Sequence, residues 1–212
     1  MAHAEHIQSN IEKKMPVPKL FLYKARDAPV VAILRRGSSK NTWQLIRWDM
    51  DTDMFNAGQW LTKAIMNGGH CAISPDGVHY AYHYSEIPDW KCHAVVSILP
   101  YFSASLITHK HAGTNDAIAF DQVGNVLHTR AEHGFIKKRA CSLKVKAYVE
   151  AEKYTGYVET GEFVDTRGRH ITVEDGRILA DGLTIYDTTE HRFANVACPV
   201  AEIEPTAVMM TQ

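Results

Sequence analysis

The sequence predicts an all-β protein built from short antiparallel strands. Apolar and polar residues alternate in several runs, which is the period of a strand with one buried face. Clusters of turn residues separate these runs. Helical periodicity is weak almost everywhere, and the one exception, Cys141–Lys153, contains a segment that fits a strand equally well. We therefore expect antiparallel units joined by tight turns.

The clearest element is a hairpin between Cys71 and Tyr84. A short apolar strand leads into Ser-Pro-Asp-Gly, in which Pro75 sets φ for a central turn position and Gly77 accepts a positive φ. After the turn, tyrosines occupy every second position: Tyr80, Tyr82 and Tyr84. The alternation predicts that all of them lie on one face of a strand.

Three further strands are predicted before the hairpin. They are Leu20–Tyr23, Val30–Leu34 and Thr42–Trp48, with a loop at 37–41 and an acidic turn at 49–53. Residues 1–18 are polar and end in two prolines, so we expect a flexible N-terminal arm. Residues 199–212 are expected to be a C-terminal tail, either an extended strand that closes the sheet or a frayed end.

The turn pattern of the hairpin recurs along the chain. In Ile73–Tyr80, Phe120–Leu127 and Val164–Ile171, an apolar residue precedes Ser or Asp, and glycine follows three positions later. Gly37 also lies between two predicted strands and makes a degenerate first copy. The interval between copies is close to the roughly 40–45 residues of a propeller blade. It divides the chain into about four units, which we place at 19–62, 63–112, 113–158 and 159–198.

These residues resemble the blades of WD40-like and TolB-like β-propellers, and most of all an uncharacterised family of bacterial WD40-like proteins. The likeness covers Ile73–Gly77 with its alternating aromatics, Leu45–Asp49 with its Trp-Asp pair, and Asp165–Arg169. The resemblance implies a small or incomplete β-propeller of four-stranded units over residues 19–198. A two-sheet β-sandwich, or an open and strongly curved stack of sheets, would use the same strands. The resemblance implies no particular activity.

Composition and charge argue against several classes of partner. Lys and Arg number 23 and Asp and Glu number 24, so the net charge of -1 gives no electrostatic reason to expect nucleic acid or an anionic membrane. No apolar run approaches the roughly 18 residues of a membrane helix. The N-terminal residues lack the apolar segment of a secretory signal. The cysteines are widely spaced and predict reduced, mostly buried thiols, so we expect a soluble cytoplasmic protein.

The best candidate for a metal site is the pair His109 and His111. On a strand, residues two apart point to the same face, so both imidazoles could reach one ion. Asp116 or His70 could supply a third ligand, which a protein metal site requires. A solvated loop after the preceding strand is the alternative. The metal site would make the protein a metal-dependent hydrolase or lyase with one divalent ion.

The aromatic residues offer a different kind of site. Tyr80, Tyr82 and Tyr84 either pack in the core or form an aromatic binding surface. Trp43, Trp48 and Trp60 are interpreted as buried anchors between sheets, and the alternative is a ligand cage that they form together with Trp90. Trp90 follows Pro-Asp in a loop, so we expect it to be exposed and to mark an interface.

No sequence motif for nucleophilic, nucleotide-dependent or zinc-dependent catalysis is present. The sequence therefore favours a non-catalytic binding or scaffold module that acts through protein contacts and needs no cofactor. Its partner is expected to be another protein or a second copy of the chain, for example through an unpaired edge strand.

Overall fold

The chain forms strands joined by turns, as the sequence predicts. The computed structural model describes residues 17–37, 41–108, 117–129, 134–154, 156–158 and 161–208. Helix in these ranges is confined to single 3-10 turns at Gly68–His70 and Glu150–Glu152. The strands are β1 Lys19–Lys24, β2 Val30–Arg36, β3 Thr42–Asp49, β4 Met54–Thr62, β5 Ala64–Met66, β6 Ala72–Ile73, β7 His79–Glu86, β8 Cys92–Ile98, β9 Ala104–Thr108, β10 Ile118–Phe120, β11 Val126–His128, β12 Phe135–Arg139, β13 Val145–Ala147, β14 Tyr157–Val158, β15 Phe163–Val164, β16 His170–Glu174, β17 Arg177–Ala180, β18 Leu183–Asp187 and β19 Glu202–Val208.

These strands form four sheets, which we call A to D. Sheet A has the order β14-β1-β2-β3-β4, and sheet D is the meander β15-β16-β17-β18. Sheet B has the order β19-β12-β9-β8-β7-β5, with β6 also paired to β7. Sheet C is β10-β11-β13, in which β13 runs parallel to β11 while all other pairs in the described residues are antiparallel. The all-β, mainly antiparallel architecture predicted from the sequence is confirmed.

Most strands pair with their neighbours in sequence, whereas β12 and β14 pair with strands outside the units predicted for them. Strands β1–β4 lie within 19–62, and β15–β18 lie within 159–198. Strand β12, however, pairs with β9 of sheet B, and β14 pairs with β1 of sheet A. Strand β19 pairs with β12, so the end of the described chain forms an extended strand. Because of these long-range pairings, sheets A and B each contain strands from distant parts of the chain.

Three of the turns adopt the same hydrogen-bond pattern. The amide nitrogens of Gly77, Gly124 and Gly168 donate to the carbonyl oxygen of the Ser or Asp three residues earlier, over 2.9, 3.1 and 3.2 Å. Each glycine has a positive φ, between 72° and 87°. In the second and third turns, the Oδ1 of Asp121 or Asp165 also accepts two backbone amides. Ser74 and Asp76 share this task in the first turn.

The sheets stack in the order D–A–B–C, with an apolar cluster at each interface. Between A and B lie Tyr23, Leu34, Trp43, Leu45, Tyr80 and Tyr82. Small side chains of sheet B, such as Ala81 and Ala94, pack against Phe120 and Val126 of sheet C. Ile33 and Trp48 on the other face of sheet A pack against Ile171 and Ile178 of sheet D. Among the described residues no apolar cluster joins C to D, so closure into a propeller stays a prediction.

Two findings concern the cysteines and the membrane. All the cysteines are free thiols; Cys71 and Cys92 are buried, and Cys141 and Cys198 are half-buried. Burial raises the pKa of the Cys71 thiol to about 11, which makes it a poor nucleophile at neutral pH. In the part of the chain that the structure describes, no helix has the length and apolar character needed to cross a membrane.

Candidate functional site

Trp90 lies at the tip of the β7–β8 hairpin with its indole in solvent. Trp90 is 64% exposed, as the sequence predicts. The tip is held by two backbone hydrogen bonds, from Trp90 to Glu86 over 2.8 Å and from Glu86 to Lys91 over 3.0 Å. Asp89 and Lys91 on either side pair with each other at 3.0 Å. Trp90 has φ of +54°, a left-handed conformation that is unfavourable for a bulky residue.

The tyrosine stripe faces the core. Tyr80 and Tyr82 are almost completely buried under sheet A, and Tyr84 is half-buried at the end of the stripe. The Tyr82 hydroxyl donates to the carbonyl oxygen of Phe102 over 2.6 Å, and burial raises the pKa of Tyr80 and Tyr82. Because sheet A covers them, Tyr80 and Tyr82 do not form a surface for a partner. Core packing, the first of the two predicted roles, is their role in the structure.

Two of the other tryptophans are buried anchors, as expected. Trp43 donates its indole N–H to the carbonyl oxygen of Ala64 over 3.0 Å in the A–B interface. Trp48 packs in the A–D interface and contacts Phe55 and Phe163. Trp60, on the edge strand β4, is only half-buried. The indoles therefore do not form a single cage.

The predicted metal ligands His109, His111 and Asp116 lie outside the described residues. The residue before them, Thr108, contacts His93, whose Nδ1 lies 3.5 Å from the Thr108 carbonyl oxygen. The rings of His83 and His128 lie 5.7 Å apart. Within the described ranges, no group of three or more His, Cys, Asp or Glu is arranged to hold a metal ion.

The metal site consequently stays a prediction, and elemental analysis of the purified protein would test it. A stoichiometric divalent metal that disappears in the double variant His109→Ala/His111→Ala would support the site. A metal-free wild-type protein after purification in zinc- or manganese-containing buffer would contradict it.

An ion-pair network connects sheets A and D at the β3–β4 turn. Arg169 donates to both oxygens of Asp53, at 2.7 and 2.6 Å, and to Asp165 at 2.8 Å. Arg167 also pairs with Asp53, at 2.6 Å. These bonds lower the pKa of Asp53, and the Arg169 bonds together with backbone amides lower the pKa of Asp165 despite its burial. The four charges are paired within the network, which stabilises the docking of sheet A on sheet D.

A second polar group lies at the opposite end of the same face of sheet A. Arg35 is directly across from Gln44, and Gln44 is directly across from Trp60, so the three side chains form one row on neighbouring strands. The row follows Ile33 and Ile46, which pack against sheet D. Arg35 is 4% exposed and Gln44 is 3% exposed. We call these three residues the polar row.

The segment 188–196, which we call the strap, crosses the polar row. The Thr188 carbonyl oxygen accepts from Nε of Arg35 over 3.1 Å, and His191 Nδ1 lies 2.8 Å from Gln44 Oε1. Phe193 packs on Trp60 with 6.1 Å between ring centroids. The last anchor is the Val196 carbonyl oxygen, which accepts from the Gln59 amide over 2.8 Å.

The electrostatics of the polar row differ from those of the ion-pair network. Burial lowers the pKa of Arg35, and the positive charge of Arg192 lowers it further. Burial and Arg35 together lower the pKa of His191, which keeps its ring neutral. The Arg35 guanidinium lies 5.3 Å from the centroid of the Trp60 ring, a cation–π contact. Among the described residues no carboxylate pairs with Arg35.

Sequence reasoning missed the polar row because its members are far apart along the chain. An arginine at the end of an apolar strand is typical of a solvated strand end, and nothing near Arg35 in sequence marks it as buried. The strap residues are about 150 positions away and follow no strand pattern. The one available signal was the spacing along β2 and β3. Arg35 lies two residues after Ile33 and Gln44 lies two residues before Ile46, so both side chains point to the same face as these isoleucines.

Comparison of the chain with protein-family models, with curated proteins and with solved structures finds no match. The resemblance to WD40-like repeats therefore rests on the residues of the turns and strands alone. The function has to be argued from the geometry of the surface.

Proposed function

We propose that the protein is a non-catalytic binding module that contacts another protein chain through the Trp90 hairpin. The observation that supports this most directly is the exposed indole on a hydrogen-bonded tip. Tryptophan is among the residues that most often dominate the energy of protein interfaces, because it buries a large apolar area and still offers one N–H donor.

The conformation of the tip gives a second reason. A left-handed backbone at a tryptophan is unfavourable, and unfavourable backbone conformations persist where the surrounding structure imposes them, often at functional positions. Burying the indole inside the protein would have been favourable, yet the hairpin holds it in solvent. A rigid tip also loses little conformational freedom on binding, which favours affinity.

The flanking charges suit a protein surface of mixed charge. Asp89 and Lys91 carry opposite charges beside the indole, so the tip has no net charge. This arrangement can match a second copy of the same hairpin in a two-fold contact, with Asp89 of one copy facing Lys91 of the other. The net charge of -1 adds no long-range repulsion between copies.

Site-specific photo-crosslinking tests the proposal. A photoreactive phenylalanine analogue replaces Trp90 in one sample and Val123 in the control sample. Val123 is 81% exposed at another turn, so it reports contacts made by any exposed apolar side chain. We expect a discrete crosslinked product in cells from position 90 and none of comparable yield from position 123.

The product also distinguishes the two kinds of partner. A product of twice the mass of the chain indicates self-association, which sedimentation of wild-type and Trp90→Ala protein then confirms by loss of the dimer. A product of another mass identifies a different protein. Equal yields from positions 90 and 123, or no product from either, would contradict the proposal.

A further inference from the structure

The geometry points to a binding site for a small organic monocarboxylate at the polar row, in which Arg35 pairs with the carboxylate. This site is separate from the Trp90 hairpin and uses different residues. It is formed where sheet A ends beneath the strap. Either proposal can therefore fail without the other.

The Arg35 guanidinium is only partly satisfied by the described residues. Among them, the Thr188 carbonyl oxygen accepts from its Nε, and the group lies near the Trp60 ring. Neither terminal nitrogen has a hydrogen-bond partner among the described residues. An arginine that is 96% buried is stable when an anion balances its charge, and the two terminal nitrogens match the two oxygens of a carboxylate. Thr188 holds the guanidinium so that this edge remains available.

The charge balance around the polar row favours a ligand with a single negative charge. Arg192 already pairs with Glu190 at 2.9 Å, and Asp187 pairs with Arg177 at 2.9 Å. The lowered pKa of His191 means that its ring adds no positive charge at neutral pH. In the part of the chain that the structure describes, one positive charge at this site therefore remains uncompensated, that of Arg35. A single carboxylate balances it, whereas a phosphate dianion would leave an unpaired negative charge next to apolar groups.

An apolar surface lies beside the Arg35 guanidinium. Phe193 is 63% exposed although it contacts the half-buried Trp60, so an aromatic edge stands open at the side of the polar row. Binding sites for small molecules combine such apolar walls with a few placed polar groups. An organic anion with an apolar body uses both features, because the body covers the rings while the carboxylate reaches Arg35.

The strap is held to sheet A by one contact at each of Thr188, His191, Phe193 and Val196, and strand pairing is absent between Thr189 and Ala201. The start of the strap is also anchored where the Thr188 hydroxyl donates to the Gly176 carbonyl oxygen over 2.6 Å. A further strand in this place would seal the edge of sheet A. His191 is oriented by Gln44: Oε1 only accepts, so Nδ1 donates and the neutral ring keeps Nε2 as an acceptor. The strap therefore holds the side chains of the polar row in place, and among the described residues none of its carboxylates pairs with Arg35.

Nuclear magnetic resonance of the tryptophan indoles tests the site directly. The chain has 4 tryptophans, so the spectrum of the full-length protein shows one indole N–H signal for each, and the Trp60→Phe variant identifies that of Trp60. The probes are phenylacetate, its neutral analogue phenylacetamide, and inorganic phosphate. Phenylacetate should shift the Trp60 signal in a saturable way and leave that of Trp90 unmoved. The other two probes should bind at least about tenfold more weakly.

Variants of Arg35 distinguish recognition by the two parallel donors of the guanidinium from attraction by a positive charge alone. Arg35→Met removes the charge at similar size and should abolish the saturable shift. Arg35→Lys keeps the charge without the two parallel donors and should bind about tenfold more weakly. Arg47→Met is the matched control, because Arg47 lies on strand β3 on the opposite face of sheet A and should leave phenylacetate binding unchanged.

Several outcomes would overturn the inference. The first is the absence of a saturable Trp60 shift with phenylacetate. Equal binding of phenylacetamide shows that no carboxylate is recognised, and equal binding of phosphate shows that the site does not select a monoanion. Parallel shifts of Trp60 and Trp90 show general adsorption to indoles. The comparison of probes uses wild-type protein, so it is decisive even if an Arg35 variant fails to fold.

Discussion

The two faces of sheet A are built from the same strands but have different chemistry. On the face toward sheet B, large aromatic residues fill the interface, and the Trp43 N–H and the Tyr82 hydroxyl each donate to a backbone carbonyl. On the face toward sheet D, the centre is apolar, but one end carries the Asp53–Arg169 network and the other end carries Arg35. The first face has the character of a core, whereas the second places charges at its edges.

This contrast indicates which polar groups of sheet A are available to a ligand. In the A–B interface, the Trp43 N–H and the Tyr82 hydroxyl donate to backbone carbonyl oxygens and both side chains are buried, so neither is available to a partner. In the ion-pair network every charge has an opposite charge. Only the polar row keeps a buried charge without one among the described residues. The comparison therefore separates residues that stabilise the fold from those that can bind.

The largest expected effect is on the A–B face. Trp43→Ala removes a side chain that is 1% exposed and leaves a cavity between two sheets. We expect the free energy of unfolding to fall by about 3–5 kcal/mol, measured by urea denaturation. Trp90→Ala is the control and should change it by less than about 0.5 kcal/mol, because the indole is exposed. Similar losses in both variants would contradict the assignment of these two tryptophans.

A smaller effect is expected at the ion-pair network. Arg169→Met should lower the free energy of unfolding by about 1–3 kcal/mol, since it removes charge-assisted bonds to Asp53 and Asp165. Arg177→Met, which breaks an exposed pair with Asp187, is the matched control and should cost clearly less than Arg169→Met, because exposed ion pairs contribute little to stability. If the control costs as much as Arg169→Met, the network has no special role.

The pH dependence of the Arg169→Met effect provides a further test. Asp53 and Asp165 have lowered pKa values in the folded protein, so their stabilisation is present above the ordinary value of 3.8 and is lost as the pH falls below it toward the folded values. The stability difference between wild type and Arg169→Met should therefore be full at about pH 6 and shrink below about pH 4. A difference that grows on acidification would be inconsistent with the network.

The smallest effect among the buried charges is expected at Arg35. Arg35→Met loses one bond to Thr188 but also removes a desolvated charge, so the free energy of unfolding should change by less than about 1 kcal/mol. Urea denaturation without added ligand measures it, beside Arg169→Met. A loss of about 3 kcal/mol or more would place Arg35 among the structural ion pairs and would weaken the case for an open anion site.

Much of the local structure could be predicted from the sequence. Period-2 alternation located β3 and β7, and runs of apolar, strand-forming residues located β1 and β2. The Ser74, Asp121 and Asp165 turns were predicted from residues within five positions of each other, and such turns depend on local backbone preferences. The exposure of Trp90 followed from its place after Pro-Asp in a loop.

Other features could not be predicted because they depend on residues distant in sequence. Strand β12 could pair within its own unit as well as with β9, and only the packing of Phe135 in the B–C interface selects β9. The role of Tyr80 and Tyr82 remained open between core and surface until sheet A was seen to cover them.

The all-β class and the chemistry of the glycine turns could be predicted from the sequence, because they follow from backbone preferences and from the period of burial along each strand. The stacking order D–A–B–C and the pairing partners of β12, β14 and β19 depend on tertiary contacts. The tertiary structure also decided that Arg35 is buried under a strap from the far end of the chain. Burial is a property of what packs against a side chain, and for Arg35 that partner lies 153 positions away.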